Sequence, residues 1–416
     1  MARHPAAPGA LDDAALFDLV QERTFRWFWE CADEASGMVP DRTTSPPGIV
    51  TIGGTGFALM ALIVGAERGF ASREAVRERI ERIVSTLEQA QRHHGVFSHW
   101  LDTRTGAIVP FSPMDDGSDL VETALLIQGL LTVRQYFSAE DLSDRTLRER
   151  IDALWQAVEW DFHKAPDDDV LLWHWSPRHG FGMNHSIRGW NECLIVYVLA
   201  ASSPTHAIDP ELYHRGWATG PDFHNGRTVQ GIQLPLGPPL GGPLFFAHYS
   251  FLGLDPRGLR DRYADYFEQN RRHVALNRAH CLANPNGCAG YGPDCWGLTA
   301  SDNYQGYAAH APDRDLCVIA PTAALASYPY DPQSASAAMH HFYFNLGDRI
   351  WTEWGFIDAF SETENWYASD QLAIDQGPIV IMMENHRSGL LWRLFMQAPE
   401  VRDGLKRLGF SSPHLD

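Results

Sequence analysis

Nothing in this 416-residue sequence offers a grip for phosphate groups. Lysine and arginine form no run, and acidic residues outnumber basic ones by 52 to 33, for a formal charge of -19. Nucleic acid and anionic membranes are therefore poor partner candidates. The same field disfavours a polyanionic sugar and suits a neutral substrate. No apolar stretch reaches the ~20 residues that span a bilayer, and the opening "MARHPAAPGALDD" lacks the apolar middle of a secretion signal. As it reads, the chain is expected in the cytoplasm, or in the periplasm or outside the cell if a leader has been removed.

Other absences narrow the chemistry. There is no phosphate-binding G-x-x-x-x-G-K-[ST], no H-E-x-x-H and no G-x-S-x-G, so nucleotide, zinc-protease and serine-hydrolase readings lose their main support. The paired C-x-x-C spacing of zinc sites is missing as well, and a metal site is not expected. Of the six cysteines, Cys31, Cys193 and Cys317 stand in apolar surroundings and read as small buried side chains. Cys281, Cys288 and Cys295 share a loop-rich segment in which a Cys288–Cys295 disulfide is open.

What is present is helical. Apolar residues recur at helical spacing over 11–33, 51–68, 72–92, 118–137, 144–163, 189–202, 257–280, 314–327, 333–347, 370–388 and 396–408, while alternating strand patterns are few and short. "REAVRERIERIVSTLEQAQRHH" and "RTLRERIDALWQAVEWDFH" have one charged and one apolar face, as solvent-covering helices do. "LVETALLIQGLL", "GWNECLIVYVLAA" and "QGPIVIMMEN" are apolar nearly all round and predict helices covered on every side. Alternation of the two kinds predicts an outer layer wrapped round an inner one, an all-α fold of the α/α barrel class, with two stacked bundles as the alternative. Without a linker, repeat or low-complexity tract, one catalytic domain is expected over residues 1–416, with 1–10 a disordered tail. The long loops at 203–247 and 283–313 are expected to carry function.

Three apolar helices open on carboxylates: Asp119 and Glu122 before "LLIQGLL", Glu192 before "CLIVYVLAA", and Asp375 before "QGPIVIMM". An ionised carboxylate is costly to bury unless paired, hydrogen-bonded or facing water. Inner helices of a barrel run parallel, so a shared pocket at their N-terminal ends would accommodate all three, helped by the positive helix ends. Local readings compete. Asp119 and Glu122 match a capping box, Glu192 has the neighbour Arg188 for a partner, and Asp375 can cap its helix. Asp115 and Asp116 read as solvated rim residues. Fourteen tryptophans are many for this length, and several fall in loops. Indole faces suit the C–H faces of sugar rings, and carboxylates suit glycoside hydrolysis, in which one protonates the leaving oxygen and another activates water or attacks.

The segments "PFSPMDDGSDLVETALLIQGLL", "WHWSP", "RGWNECLIVYVLAASSPTH", "CWGLTASD" and "AIDQGPIVIMMEN" resemble the bacterial glucoamylase-like family that includes glycoside hydrolase family 144, with the likeness running from about residue 20 to 410. The resemblance implies an (α/α)6 barrel and inverting, cofactor-free hydrolysis of β-1,2-glucosidic linkages in β-1,2-glucan or its oligosaccharides. It places the acids of its D-L-V-E-T and N-E-C-L-I motifs at Asp119, Glu122 and Glu192, with Glu192 as acid, Glu122 as base and Asp119 in support. Sugar contacts are expected at Arg188, Trp175, Trp190, His248, Tyr249, Asp302, Trp366 and Asp375. A transglycosylase on the same glucans, a polysaccharide lyase and a noncatalytic glucan-binding protein are the competing readings.

Overall fold

The computed structural model describes residues 11–415; the tail expected at 1–10 lies outside them. Among these residues thirteen helices carry the fold: α1 Asp13–Glu30, α2 Ile52–Arg68, α3 Arg73–Gln89, α4 Leu120–Tyr136, α5 Leu142–Gln156, α6 Leu194–Ser202, α7 Tyr266–Ala283, α8 Pro321–Leu325, α9 Pro332–His340, α10 Gly347–Ile350, α11 Ala373–Ser388, α12 Leu390–Met396 and α13 Pro399–Arg407. Among the described residues the strands are two to four residues long and form one three-stranded antiparallel sheet and several antiparallel pairs. No helix among the described residues is long and apolar enough to cross a membrane.

The all-α expectation holds as an (α/α)6 barrel. Its inner ring runs α2, α4, α6, two short 3-10 turns at Leu244–Ala247 and Tyr249–Leu252, α8 and α11, and closes where α11 meets α2. Every residue of α6 is buried, as is α4 from Leu120 to Arg134, which is why these segments carry no polar face. The outer layer is α1, α3, α5, a π-turn at Tyr213–Trp217, α7 and α9. Ser72 and Asp141 cap α3 and α5 by accepting from Ala75 N (3.1 Å) and Asp144 N (2.9 Å). The C-terminal ends of the inner helices are closed by α12 and α13: Trp392 Nε1 donates to Phe251 O (2.7 Å), and Glu400 pairs with Arg134 at the end of α4 (2.7 Å).

Periodicity overshoots where chain chemistry breaks the helix. The span expected from 257 starts at Tyr266, because 257–265 folds as turns capped by Asp261 and Asp265. The span at 314–327 contracts to Pro321–Leu325, since proline fixes a helix start. The disulfide is also different from the expectation: Cys288 bonds Cys317, with Cα atoms 5.3 Å apart, and Cys295 is free. Cys317 is thus no inert core side chain. The bridge closes the segment that carries the hairpin of Ala300–Asn303 and Gly306–Ala309.

Helices α2 and α4 approach more closely than side chains allow. A Cβ on Gly56 would lie 2.3 Å from Leu125 O, and one on Gly129 would lie 2.2 Å from Gly56 O. Helix propensity alone favours alanine over glycine by about 1 kcal/mol; here the backbone contact reverses the sign. Gly129→Ala is expected to lower the melting temperature through an overpacking cost of about 1–3 kcal/mol. A thermal melt that matches or exceeds wild type would show that the two helices have room to spare.

Candidate active site

The N-terminal ends of the inner helices gather the carboxylates. Asp119 is the N-cap of α4: its Oδ1 accepts from Val121 N (3.0 Å), Glu122 N (2.9 Å) and Trp173 Nε1 (2.9 Å). Only half of the capping box forms. The Asp119 N–H is taken by Phe97 O (2.7 Å), and Glu122 turns across to α2, where its Oε2 accepts from Gly53 N at 2.6 Å. A Cβ on Gly53 would stand 2.7 Å from that oxygen, so the residue type permits the approach.

Two histidines with no recognisable motif complete this side. Asp119 Oδ2 faces His99 Nδ1 (3.4 Å) and His174 Nε2 (3.5 Å); His99 Nδ1 is 4.0 Å from Glu122 Oε1, and His174 Nε2 is 3.4 Å from Asp115 Oδ2. Burial works against charge on Asp119, yet hydrogen bonds and charge from the two imidazoles hold its carboxyl below the usual carboxylate range. Against the same burial, Glu122, Asp119 and Asp115 push His99 up to about 10. Burial raises Glu122 to about 7, with His99 and the Gly53 N–H pulling the other way. Asp115, pushed by burial and the Asp119 charge to about 6, is no solvated rim residue. It and Asp116 are 4% and 9% exposed, because Ser118–Asp119 pairs with His174–Trp175 and folds this loop inward.

Glu192 stands just ahead of α6, whose N-cap is Cys193. It does not pair with Arg188, which turns away to Asp168 and to Thr219 Oγ1 (3.2 Å). Burial pushes its carboxyl up to about 7, opposed by its own backbone N–H and reinforced by the Asp119 charge. Its carbonyl accepts from Ser250 Oγ, which ties it to the next inner segment.

Asp375 lies in the first turn of α11 but does not cap it; the N-cap is Leu372. Its Oδ1 is 3.5 Å from Tyr249 OH, while its Oδ2 and the Oδ1 of Asp358 are buried without a donor. Two such carboxyls resist ionising together. Burial first, and each other's charge next, raise Asp375; burial raises Asp358 to about 7. Asp358 Oδ2 accepts from Asp302 N (2.7 Å), and the Asp302 carboxylate pairs with Arg42 Nη1 (3.0 Å).

A cavity of about 280 Å³ lies over this arrangement, bounded by Thr51, His99 and Glu122 on one wall and Arg42 on another. Phe111 and Tyr307, each about half exposed (51% and 52%), form its aromatic mouth beside Trp100. Among the sugar contacts expected from sequence, Tyr249, Asp302 and Asp375 lie in this constellation. Trp190 does not: it is buried among Trp217, Phe251 and Tyr266. His248 is core too, bonded to Ser327 Oγ (3.1 Å) and pushed down to about 3 by burial. Trp175 packs against His93, His94 and Phe162, and Trp366 against Val318, Ala320 and Ala359. The two buried positions fail because an indole or imidazole in an apolar run fills the core by default. His99, His174, Asp358 and Arg42 escaped notice because their spacing follows no motif; the only signal was that four acids near 119 need cations.

Three groups among the described residues are close enough to share an ion: His99 with Asp115 and Asp119, Cys295 with His341 and Glu362, and Cys288 with Asp315 and Cys317. The last is committed to the disulfide. In the first, His99 and His174 already supply the countercharge.

Residues 184–399 match the Glycoamylase family model, that of glucoamylase-like proteins. The chain is 43% identical over 419 residues to an exo-β-1,2-glucooligosaccharide sophorohydrolase (non-reducing end) of Parabacteroides distasonis, a match that covers 96% of this chain. It spans 58% of the length of that curated relative. An endo-β-1,2-glucanase from Chitinophaga pinensis, solved with sophorotriose and glucose, superposes with a TM-score of 0.95 at 52% identity, covering 98% of this chain and 100% of the other. The endo-β-1,2-glucanase of Talaromyces funiculosus shares the fold alone, at 10% identity and a TM-score of 0.65 over 95% of this chain and 88% of the other.

The raised Asp358 carboxyl makes a pH-dependent stability difference. In wild type Asp358 binds its proton more tightly folded than unfolded, so its contribution is full at low pH and is lost as pH rises through about 7. Asp358→Asn keeps an acceptor for Asp302 N and cannot ionise beside Asp375. Its melting temperature relative to wild type is expected to improve from pH 5 to pH 8; a difference independent of pH would mean that Asp358 holds no raised proton in the folded protein.

Proposed function

This chain belongs to the glucoamylase-like family, and on that premise we propose that it is a glycoside hydrolase that cleaves β-1,2-glucosidic linkages in β-1,2-glucan or its oligosaccharides. The observation that carries the reading is the pair Glu122 and Glu192, a buried and a half-buried carboxyl each raised to about 7 by desolvation, at an end of the barrel that also holds an aromatic-mouthed cavity. A neutral glucan suits a chain of charge -19. One apolar cluster running from Leu16 to Leu415 supports a single catalytic domain.

The donor sets divide the roles. Burial and the Asp119 charge raise Glu122, while the Gly53 N–H, Thr51 Oγ1 (3.5 Å) and the His99 imidazole favour its charged form. Glu192 meets only its own backbone N–H in opposition to burial. In this division Glu122 acts as base, taking a proton from water as the water attacks the anomeric carbon, while Glu192 delivers its proton to the departing glycosidic oxygen. With a β-1,2 linkage a neighbouring substrate hydroxyl can relay one of these protons. The product leaves with inverted configuration. Asp119 positions the turn from which Glu122 projects, and Tyr249, Asp302 and Asp375 line the sugar site.

Proton NMR of a β-1,2-glucan digest at early times reads linkage, product size and anomeric configuration together. Sophorose or longer β-1,2-linked fragments appearing first as the α-anomer are expected; unsaturated ends or no products would sink the proposal. Glu192→Gln and Glu122→Gln should each reduce kcat by about 10²–10⁴ without change in the melting profile. Activity in excess EDTA should equal that in buffer.

A further inference from the structure

The groups around Glu122 form an alternating row that no catalytic role yet accounts for. Glu122, His99, Asp119, His174 and Asp115 follow one another as acid, base, acid, base, acid, at 4.0, 3.4, 3.5 and 3.4 Å. Asp119 Oδ1 is saturated by two backbone donors and the Trp173 indole, so only Oδ2 is left to face the imidazoles. His99 sits where this row meets the cavity. One edge points at both α4 carboxylates, and one face lies against Phe111, with ring centroids 4.2 Å apart and planes at 31°. Trp100 holds it edge-on at 5.6 Å.

We propose that His99 works as a permanently protonated positioning residue whose imidazolium, wedged between Asp119 and Glu122, lets Glu122 give up its proton in the neutral range. The inference rests on Glu122 being the base of the reaction proposed above. Without that cation, Glu122 would sit in a buried site beside the ionised Asp119 and would hold its proton more tightly. The charged and titratable groups facing His99 are Asp119 and Glu122 from α4 and its lead, and Asp115 from the preceding loop. Asp41 and Arg42 come from the segment across the cavity, and His174 lies on the far side of Asp119. The carboxylates predominate, and burial alone does not deprotonate the ring. Phe111 gives the arrangement a second property. The ring that shields the imidazolium from water is itself half exposed at the cavity mouth, so a sugar resting there would shield it further and hold His99 against the two acids.

Two measurements test this. In wild-type protein labelled at histidine nitrogen, the His99 signals, identified among 19 histidines by their absence in His99→Gln, are expected to stay those of an imidazolium up to pH 8. A ring already neutral at pH 7 overturns the proposal, and does so whether or not β-1,2-glucan is the substrate. In the pH profile of kcat/KM, His99→Gln should move the acid limb upward by about one unit or more, a loss of about tenfold or more just below the wild-type limb. His99→Lys, which keeps the charge, should leave the limb near wild type. A uniform loss with an unmoved limb in the Gln variant would reduce His99 to packing, and a limb displaced equally in the Lys variant would deny the role of charge. If wild type hydrolyses no β-1,2-glucan, the functional reading fails while the nitrogen titration still decides the state of His99.

Discussion

The backbone N–H of Gly53 reaching the Glu122 carboxylate at 2.6 Å is the contact that most of the site presupposes. It exists because α2 and α4 touch backbone to backbone at Gly56 and Gly129. A single methyl group on either helix would separate them and withdraw the donor from the carboxylate. The spacing of two inner helices thus contributes to the ionisation of a side chain one turn away, against the larger effect of burial. Glycines in the middle of helices, unfavourable for the isolated helix, are here the means by which the barrel places a positive backbone dipole against an acid.

The barrel handles its buried acids in two ways on the two flanks of α2. Around Asp119 it supplies countercharge, with two imidazoles set between three carboxyls. Around Asp375 no cation among the described residues pairs with Asp358 or Asp375, and burial pushes both carboxyls toward their protonated forms. The first arrangement keeps an ionised carboxylate at neutral pH; the second keeps a neutral carboxyl able to donate a hydrogen bond. A hydroxyl-rich ligand between the walls would meet strong acceptors on one side and a donor on the other, which is a polarity that orients it.

How far this could be read in advance varied with the kind of signal. The two-layer architecture was legible because helices buried on every side lose their polar face, and α4 and α6 have none. Asp119 and Glu122 were legible as a pair from their offset of three, although that offset also predicted a reciprocal cap that Glu122 does not make. Histidines were opaque: His99 and His248 both lie in aromatic surroundings along the chain, yet one faces the cavity and the other is core. Which of the two meets carboxylates depends on residues some sixteen or more positions away, and no local pattern encodes that. Tryptophan misled for a related reason. The half-exposed rings at the cavity mouth are Phe111 and Tyr307, whereas Trp190 is spent on the core. The Cys288–Cys317 bridge was hidden by a separation of 29 residues, since proximity in a loop-rich segment favoured the nearer Cys295.

The ring of inner helices closes late in the chain. Helix α2 is covered on one flank by α11, and Gln21 in α1 donates to Val380 O across 359 residues of sequence. During synthesis, α2, α4 and α6 therefore exist before the segment that completes their enclosure. Non-local closure of this sort slows folding and leaves apolar surface open to other chains in the interval. The feature that gives the site its dry, rigid floor is thus also a kinetic burden, and conditions that delay the arrival of α11 should favour aggregation before any loss of native stability is felt.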